Sequence, residues 1–261
     1  MTGAIIRIKP LNQLTILTHA VLVGLTPLIP LPVLDDMVKA YFYRKLVRSL
    51  AVSHGVTLSA NEINILARSR GAGCVNGCLF GTLEFLVKNF VRKLIFVLEW
   101  RRAIDLVTRT YYVGYLLDYT FRKGWYTPGD KASAVRLQSA LEQAYGGANT
   151  GLVKNIVRAS FNHSRIMIFG AVRLIAASLN DIAFGRLYRL YRRLRPRKAE
   201  TAQDVRLENT VAESLERDTP QIRSALDGLI AELQNNLAVV PQEHFTGLEA
   251  RLEKALKTDG V

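Results

Sequence analysis

Seven acidic and histidine side chains are the candidates for acid–base or metal chemistry. They are His19, His54, His163, His244, Glu99, Asp105 and Asp118. Such groups exchange protons near neutral pH, and they bind metals when they recur at short, fixed spacings. Here they are scattered, with no nucleophile elbow, no H-E-x-x-H motif and no paired metal spacing. The sequence therefore predicts no catalytic residue, no metal site and no cofactor, and leaves open a site that folding assembles.

A glycine-rich stretch from 71 to 81, GAGCVNGCLFG, is a second candidate for chemistry. No predicted strand precedes it and it lacks G-K-[ST], so it meets neither nucleotide-binding fingerprint. Gly73, Gly77 and Gly81 recur every four residues, and we expect them to form a helix face that packs closely on another helix. Cys74 and Cys78 are expected to be small buried side chains, because no further metal ligand is near them in sequence.

The strongest local pattern is RLYRLYRRLRPRK, from 186 to 198. Its leucines recur at helical spacing beside a basic stripe, which is typical of helices that lie on anionic bilayers, where each cation contributes about 1 kcal/mol. The competing readings are binding to nucleic-acid backbone and ion pairing with the acidic C-terminal segment. The residues predicted to bind an anionic surface are Arg186, Arg189, Arg192, Arg193 and Arg195.

The elements that would position these groups begin with an apolar stretch from 14 to 34, which is long enough to span a membrane. Three prolines crowd its second half, so a straight helix should stop between Gly24 and Thr26. Basic residues flank both ends, which favours a hairpin, interfacial or buried in a protein core, over a span. The residues predicted to insert into lipid are Leu14, Leu17, Val21, Leu25, Pro27, Ile29, Pro30 and Pro32.

A second basic helix is predicted from 36 to 53, with Asp35 and Asp36 at its N-terminus. Its predicted anionic-surface residues are Lys39, Arg44, Lys45 and Arg48. A capping box then opens a short helix at Ser59. The tyrosine-rich segment from 111 to 126 suits either a membrane interface or a protein core, and the apolar patch from 166 to 179 is predicted to be core.

Charge divides the chain, with 29 basic and 10 acidic residues in 1–199 but 6 basic and 12 acidic residues in 200–261. A hydrophobic content of 49% excludes disorder, and the frequent charges exclude a polytopic transporter. We predict an all-α helical bundle with a proline-broken apolar hairpin near the N-terminus and a C-terminal helical appendage. The predicted domains are a basic membrane-associated domain (1–195), a linker (196–204) and an acidic helical hairpin (205–261).

The segment from 22 to 66 resembles the bacterial YcjF-like and EcsC-like membrane-associated domains. The matching residues are Gly24, Pro27, Pro30, Pro32, Asp35, Leu50, Ala51 and Gly55. The resemblance covers about the first 125 residues and implies an all-helical, bilayer-associated module, found in some relatives beside GTPases. It carries over no catalytic residue, and this chain departs from it by its basic helix and acidic tail.

We therefore expect a non-enzymatic scaffold or adaptor, peripheral or monotopic, on the cytoplasmic face of the inner membrane. It would dock on anionic lipid through the apolar hairpin and the basic amphipathic helix. A GTPase or another membrane protein, and a second copy of the chain, are the expected protein partners. The alternatives are a non-specific nucleic-acid-binding protein, which the lack of a known module disfavours, and a membrane-bound enzyme acting on lipids.

Overall fold

The computed structural model describes residues 10–29, 34–68, 88–179 and 202–258. Within these ranges it contains ten α-helices, one 3₁₀ turn and no strand, which confirms the predicted all-α fold. The helices are α1 (Pro10–Gly24), α2 (Leu34–Ser53), α3 (Ala60–Leu66), α4 (Lys88–Lys123), α5 (Lys131–Gly146), α6 (Gly151–His163), α7 (Arg165–Ser178), α8 (Ala202–Ser224), α9 (Asp227–Ala238) and α10 (Gln242–Thr258).

Helix α1 lies at the centre of the bundle, where it packs against α2, α4 and α9. Its contact with α4 is close because glycines stand at two crossing points. A Cβ at Gly24 would overlap with Val107 of α4, and one at Gly114 of α4 would lie 2.9 Å from Ile16. Backbones that approach this closely exclude lipid from between the two helices.

The predicted break after α1 is confirmed. Helix α1 ends at Gly24, and a 3₁₀ turn from Thr26 to Leu28 follows, with Pro27 in its first turn. Pro27 has no N–H to continue an α-helical ladder. Helix α2 then starts at Leu34, with both predicted aspartates in its first turn.

By length and composition alone, Leu11–Leu28 is the one stretch among the described residues that could cross a membrane. However, 61% of this stretch is buried inside the protein, and the core helix of a soluble protein passes the same test. Of the residues predicted to insert, the structure buries Leu17, Val21, Leu25 and Ile29, half-buries Leu14 and Pro27, and does not describe Pro30 and Pro32. Insertion of this segment stays a prediction, and it would require α1 to leave the bundle.

Helix α4 runs through the whole bundle, and its tyrosines belong to the core rather than to an exposed belt. Tyr111, Tyr112 and Tyr115 are buried, and Tyr115 stacks on Phe245 of α10. Buried phenol groups need hydrogen-bond partners, and here α10 supplies them. The Tyr112 hydroxyl meets His244, and the Tyr115 hydroxyl donates to Glu249.

Helix α3 has the predicted capping box, which also fastens a distant turn. Ser59 caps the helix, and the Glu62 side chain accepts from the Ser59 backbone in return. The same buried carboxylate accepts hydrogen bonds from the Tyr126 hydroxyl and the Gly129 N–H. Burial raises the pKa of Glu62, but these hydrogen bonds outweigh it and lower the pKa to about 2.

The acidic C-terminal segment forms three helices rather than the predicted hairpin. Pro220 lies within α8, and the break comes after Ser224. These helices pack on the rest of the bundle, α8 on α7 and α2, α9 on α6 and α1, and α10 on α5 and α4. Their buried residues belong to the same hydrophobic cluster as those of α1 to α7. The division into a body, a linker and an appendage stays a prediction.

Candidate anionic-surface site

The predicted basic face of α2 is partly neutralised by acidic residues. Lys39 pairs with Asp36 at 2.8 Å, and Lys45 reaches Glu216 of α8 at 3.3 Å. Arg44 is half-buried and has a partner, while Arg48 is exposed. Arg186, Arg189, Arg192, Arg193 and Arg195 lie outside the described residues, as do Gly73, Gly77 and Gly81.

Two of the scattered acid–base candidates meet in the structure. His54 Nε2 lies 2.8 Å from Asp118 Oδ1, and the Asn12 amide donates to the same oxygen at 2.6 Å. This buried cluster joins the start of α1, the residue that follows α2 and the last two turns of α4. All three side chains are nearly inaccessible to solvent. The cluster therefore holds helices together and offers no accessible reacting group.

The remaining candidates stand in separate places. Ion pairs join Glu99 to Arg102 and Asp105 to Lys154, and His163 Nδ1 lies 3.0 Å from a Glu232 carboxylate oxygen. Among the described residues, no three His, Cys, Asp or Glu side chains are grouped to hold a metal ion.

A different set of residues comes together where α4, α6 and the start of α7 meet. They line a surface cavity of about 410 Å³, which we call the arginine pocket. Its lining residues are Val97, Trp100, Arg101, Ile104, Arg158, Asn162 and Arg165.

Helical periodicity explains how both helices deliver these side chains. Val153, Val157 and Phe161 recur every four residues and form the buried stripe of α6. Arg158 and Asn162 each follow a member of that stripe by one position, so they lie at its exposed edge. On α4, the four lining residues from 97 to 104 follow the i, i+3, i+4, i+7 spacing of one helix face.

The pocket is cationic because its arginines form no ion pair with the acidic residues that the structure describes. Arg101 and Arg158 are exposed, and neither forms an ion pair with any residue that the structure describes. Arg165 stands 5.6 Å above the Trp100 ring and donates to Asn162 Oδ1 at 3.2 Å. Stacking on an aromatic ring and a hydrogen bond to an amide fix this guanidinium without neutralising it.

An exposed apolar surface borders the pocket on α7. We call it the apolar ridge, and it consists of Ile166 and Phe169, which stand three residues apart on one face of α7. Ile166 is 89% exposed and Phe169 is 40% exposed. The Phe169 ring lies 6.1 Å from that of Trp100, so the ridge is continuous with the pocket wall.

The sequence did not single out this site. The prediction of 166–179 as core is right for one face of α7, where Ile168, Ala171 and Ile175 are buried, and wrong for the ridge. The three pocket arginines come from two helices and a helix start, up to 64 positions apart. The one usable signal is the arginine beside Trp100 on an otherwise apolar helix face.

Comparisons with protein families, with curated proteins and with solved structures give no match for this chain. The resemblance to the YcjF-like and EcsC-like domains therefore stays a prediction.

Proposed function

We propose that this chain is a non-enzymatic scaffold or adaptor that docks on anionic membrane surfaces. The observation that supports the proposal is the arginine pocket beside the apolar ridge. Together they match the two zones of a lipid leaflet, which are the phosphate groups at its surface and the acyl chains below them. Guanidinium groups meet lipid phosphates, and exposed apolar side chains enter the region just below them. The docking surface is therefore α4, α6 and α7, while α1 stays in the core.

The energies of the two contributions are comparable. Arg101, Arg158 and Arg165 are each worth about 1 kcal/mol near an anionic surface. Burying a side chain such as Ile166 or Phe169 contributes about 1.5–3 kcal/mol when it is complete. The basic segment 186–198 begins eight residues after Ser178, the last residue of α7, and it would add further positive charge to the chain.

A docked adaptor of this kind fits the cytoplasmic face of an inner membrane, where the negative surface potential attracts polybasic segments. Nucleic acid is the competing anion for the same arginines. The exposed aliphatic side chain of Ile166 favours lipid, because phosphate and base recognition make no use of it.

Vesicle sedimentation of the full chain tests the proposal. We expect the protein to pellet with vesicles that contain phosphatidylglycerol, and to stay in solution with pure phosphatidylcholine. At about 1 M salt, where charges are screened beyond about 3 Å, binding should weaken but not vanish, because burial of the ridge persists. The proposal is contradicted if the protein pellets with neither vesicle and instead shifts duplex or single-stranded nucleic acid in a gel at physiological salt. Nucleic acid would then be the ligand in place of lipid.

A matched pair of variants separates the ridge from general surface effects. Ile166→Ser with Phe169→Ser should remove the salt-resistant part of the binding. Val52→Ser with Val239→Ser removes two valines that lie outside the ridge and are 70% and 80% exposed. This control pair should leave the salt-resistant part of the binding intact. Equal losses in both pairs would show that the ridge is not the lipid contact.

A further inference from the structure

We infer that the arginine pocket is a discrete site for one lipid headgroup that carries a phosphomonoester. The inference rests on the proposed membrane docking and adds a headgroup preference to it. A surface that only attracts negative charge would bind all anionic lipids according to their charge. A built pocket distinguishes headgroups even when two membranes carry the same total surface charge.

The polar groups of the described residues that line the pocket are mostly hydrogen-bond donors, and some of these donors have no acceptor. Trp100 Nε1 and Arg165 both donate to Asn162 Oδ1, at 3.3 and 3.2 Å. An oxygen that receives two donors fixes the orientation of the amide, so the Asn162 NH₂ group faces away from them. That NH₂ group has no acceptor among the described residues, and neither guanidinium of Arg101 and Arg158 has an acidic partner.

Three acidic residues stand close to the pocket arginines in the chain or in the fold, and each has a partner other than those arginines. Asp105 binds Lys154, Glu99 binds Arg102, and Glu232 meets His163. None of the described residues that line the pocket is acidic. Three positive charges that share one cavity favour an anion of high charge over one of low charge.

The charge of the phosphate group is therefore the basis of the preference. A phosphomonoester carries about −1.5 to −2 near neutral pH and offers three acceptor oxygens, whereas a phosphodiester is a monoanion. Arginine binds such oxygens in pairs, through two parallel hydrogen bonds. Phosphatidic acid exposes a monoester, and phosphatidylglycerol contains only a diester.

The size and the apolar walls of the pocket suit a lipid rather than a free ion. A volume of about 410 Å³ falls within the range of ligand pockets, about 300–1,000 Å³, and exceeds what a bare phosphate needs. Val97, Trp100 and Ile104 supply apolar walls that match the glycerol backbone and the first acyl carbons. The ridge residue Phe169 continues this surface through its contact with Trp100.

The test compares vesicles of equal surface charge, one set containing phosphatidic acid and the other phosphatidylglycerol. We expect about a tenfold tighter binding to phosphatidic acid, which corresponds to one additional charge-assisted hydrogen bond. Strong binding to both lipids with no preference would overturn the headgroup site and leave membrane docking in place. Binding to neither lipid would overturn membrane docking itself.

Two pairs of variants locate the preference. Arg101→Gln with Arg158→Gln should abolish the tenfold difference and still allow binding to phosphatidylglycerol. Arg217→Gln with Arg251→Gln removes the same charge from exposed arginines of α8 and α10, and should keep the difference. If the preference survives in the first pair, the pocket is not its source.

A soluble competitor separates the lipid from a small phosphate ester. Glycerol 3-phosphate, added at the headgroup concentration of the vesicles, should leave the protein bound because it lacks the acyl chains that contact the ridge. Displacement of the protein by glycerol 3-phosphate would overturn the lipid assignment.

Discussion

His19 is the one ionisable residue of the central apolar helix, and its burial makes the stability of the bundle depend on pH. The ring lies near the middle of α1 and is 9% exposed. Its Nδ1 atom donates to the Thr15 carbonyl at 2.8 Å. Burial lowers the pKa of His19 to about 4, the bond to Thr15 opposes this, and the charges of Lys45 and Arg223 lower the pKa further.

The sign of the effect follows from the two end states. Unfolded, the imidazole titrates near 6.5, while in the fold it stays neutral down to about pH 4. Below pH 6.5 the unfolded chain therefore binds more protons than the folded one, so stability falls as pH decreases from 6.5 towards 4. These two pKa values predict that the free energy of unfolding falls by about 2 kcal/mol between pH 7 and pH 5.

Urea unfolding of the wild type and of His19→Leu, near pH 7 and near pH 5, measures this contribution. The leucine fills the buried site and cannot titrate, so we expect the pH-dependent loss to shrink by about 2 kcal/mol. His163→Gln is the matched control, because that side chain is 81% exposed and its removal should leave the dependence unchanged. An identical pH dependence in the wild type and in His19→Leu would refute the burial of α1.

Three further predictions concern the packing of the bundle, and each is checked by chemical denaturation. Gly24→Ala should lower the free energy of unfolding by about 1–3 kcal/mol, because it forces a Cβ into Val107. Adding Val107→Ala should recover part of that loss. Full stability of Gly24→Ala would contradict the close approach of α1 and α4. Glu62→Gln should destabilise the protein at neutral pH. It should also remove the loss of stability that the wild type shows as the pH falls from 4.5 to about 2. An unchanged dependence of stability on acidic pH would contradict the role of this carboxylate. Asp118→Leu should cost more than about 2 kcal/mol, because Asn12 and His54 lose their shared acceptor; a neutral substitution would show that the cluster does not hold the helices.

The sequence predicts the helices well where local chemistry determines them. Pro27 lies just beyond the end of α1, Asp35 and Asp36 lie in the first turn of α2, and Ser59 with Glu62 begins α3. In each case the residues that decide lie within one turn of the boundary. Such signals do not depend on the rest of the fold.

Predicting what each helix packs against requires the tertiary structure. The composition of α1 suits a membrane and a protein core equally, and only its contacts with α4 and α9 distinguish them. From the sequence alone, the basic face of α2 is predicted to be a free surface. In the structure, Glu216 of α8 lies beside Lys45. Apart from the arginine beside Trp100, the arginine pocket has no sequence signal, because its donors come from distant parts of the chain.

Hydrogen–deuterium exchange of the full chain, with and without phosphatidic acid vesicles, tests the central claim most directly. We predict that vesicles slow exchange at the start of α7 and along 97–104 of α4, while α1 stays as strongly protected as in solution. Loss of protection in α1, with no change at α7, would contradict docking through the arginine pocket and the apolar ridge.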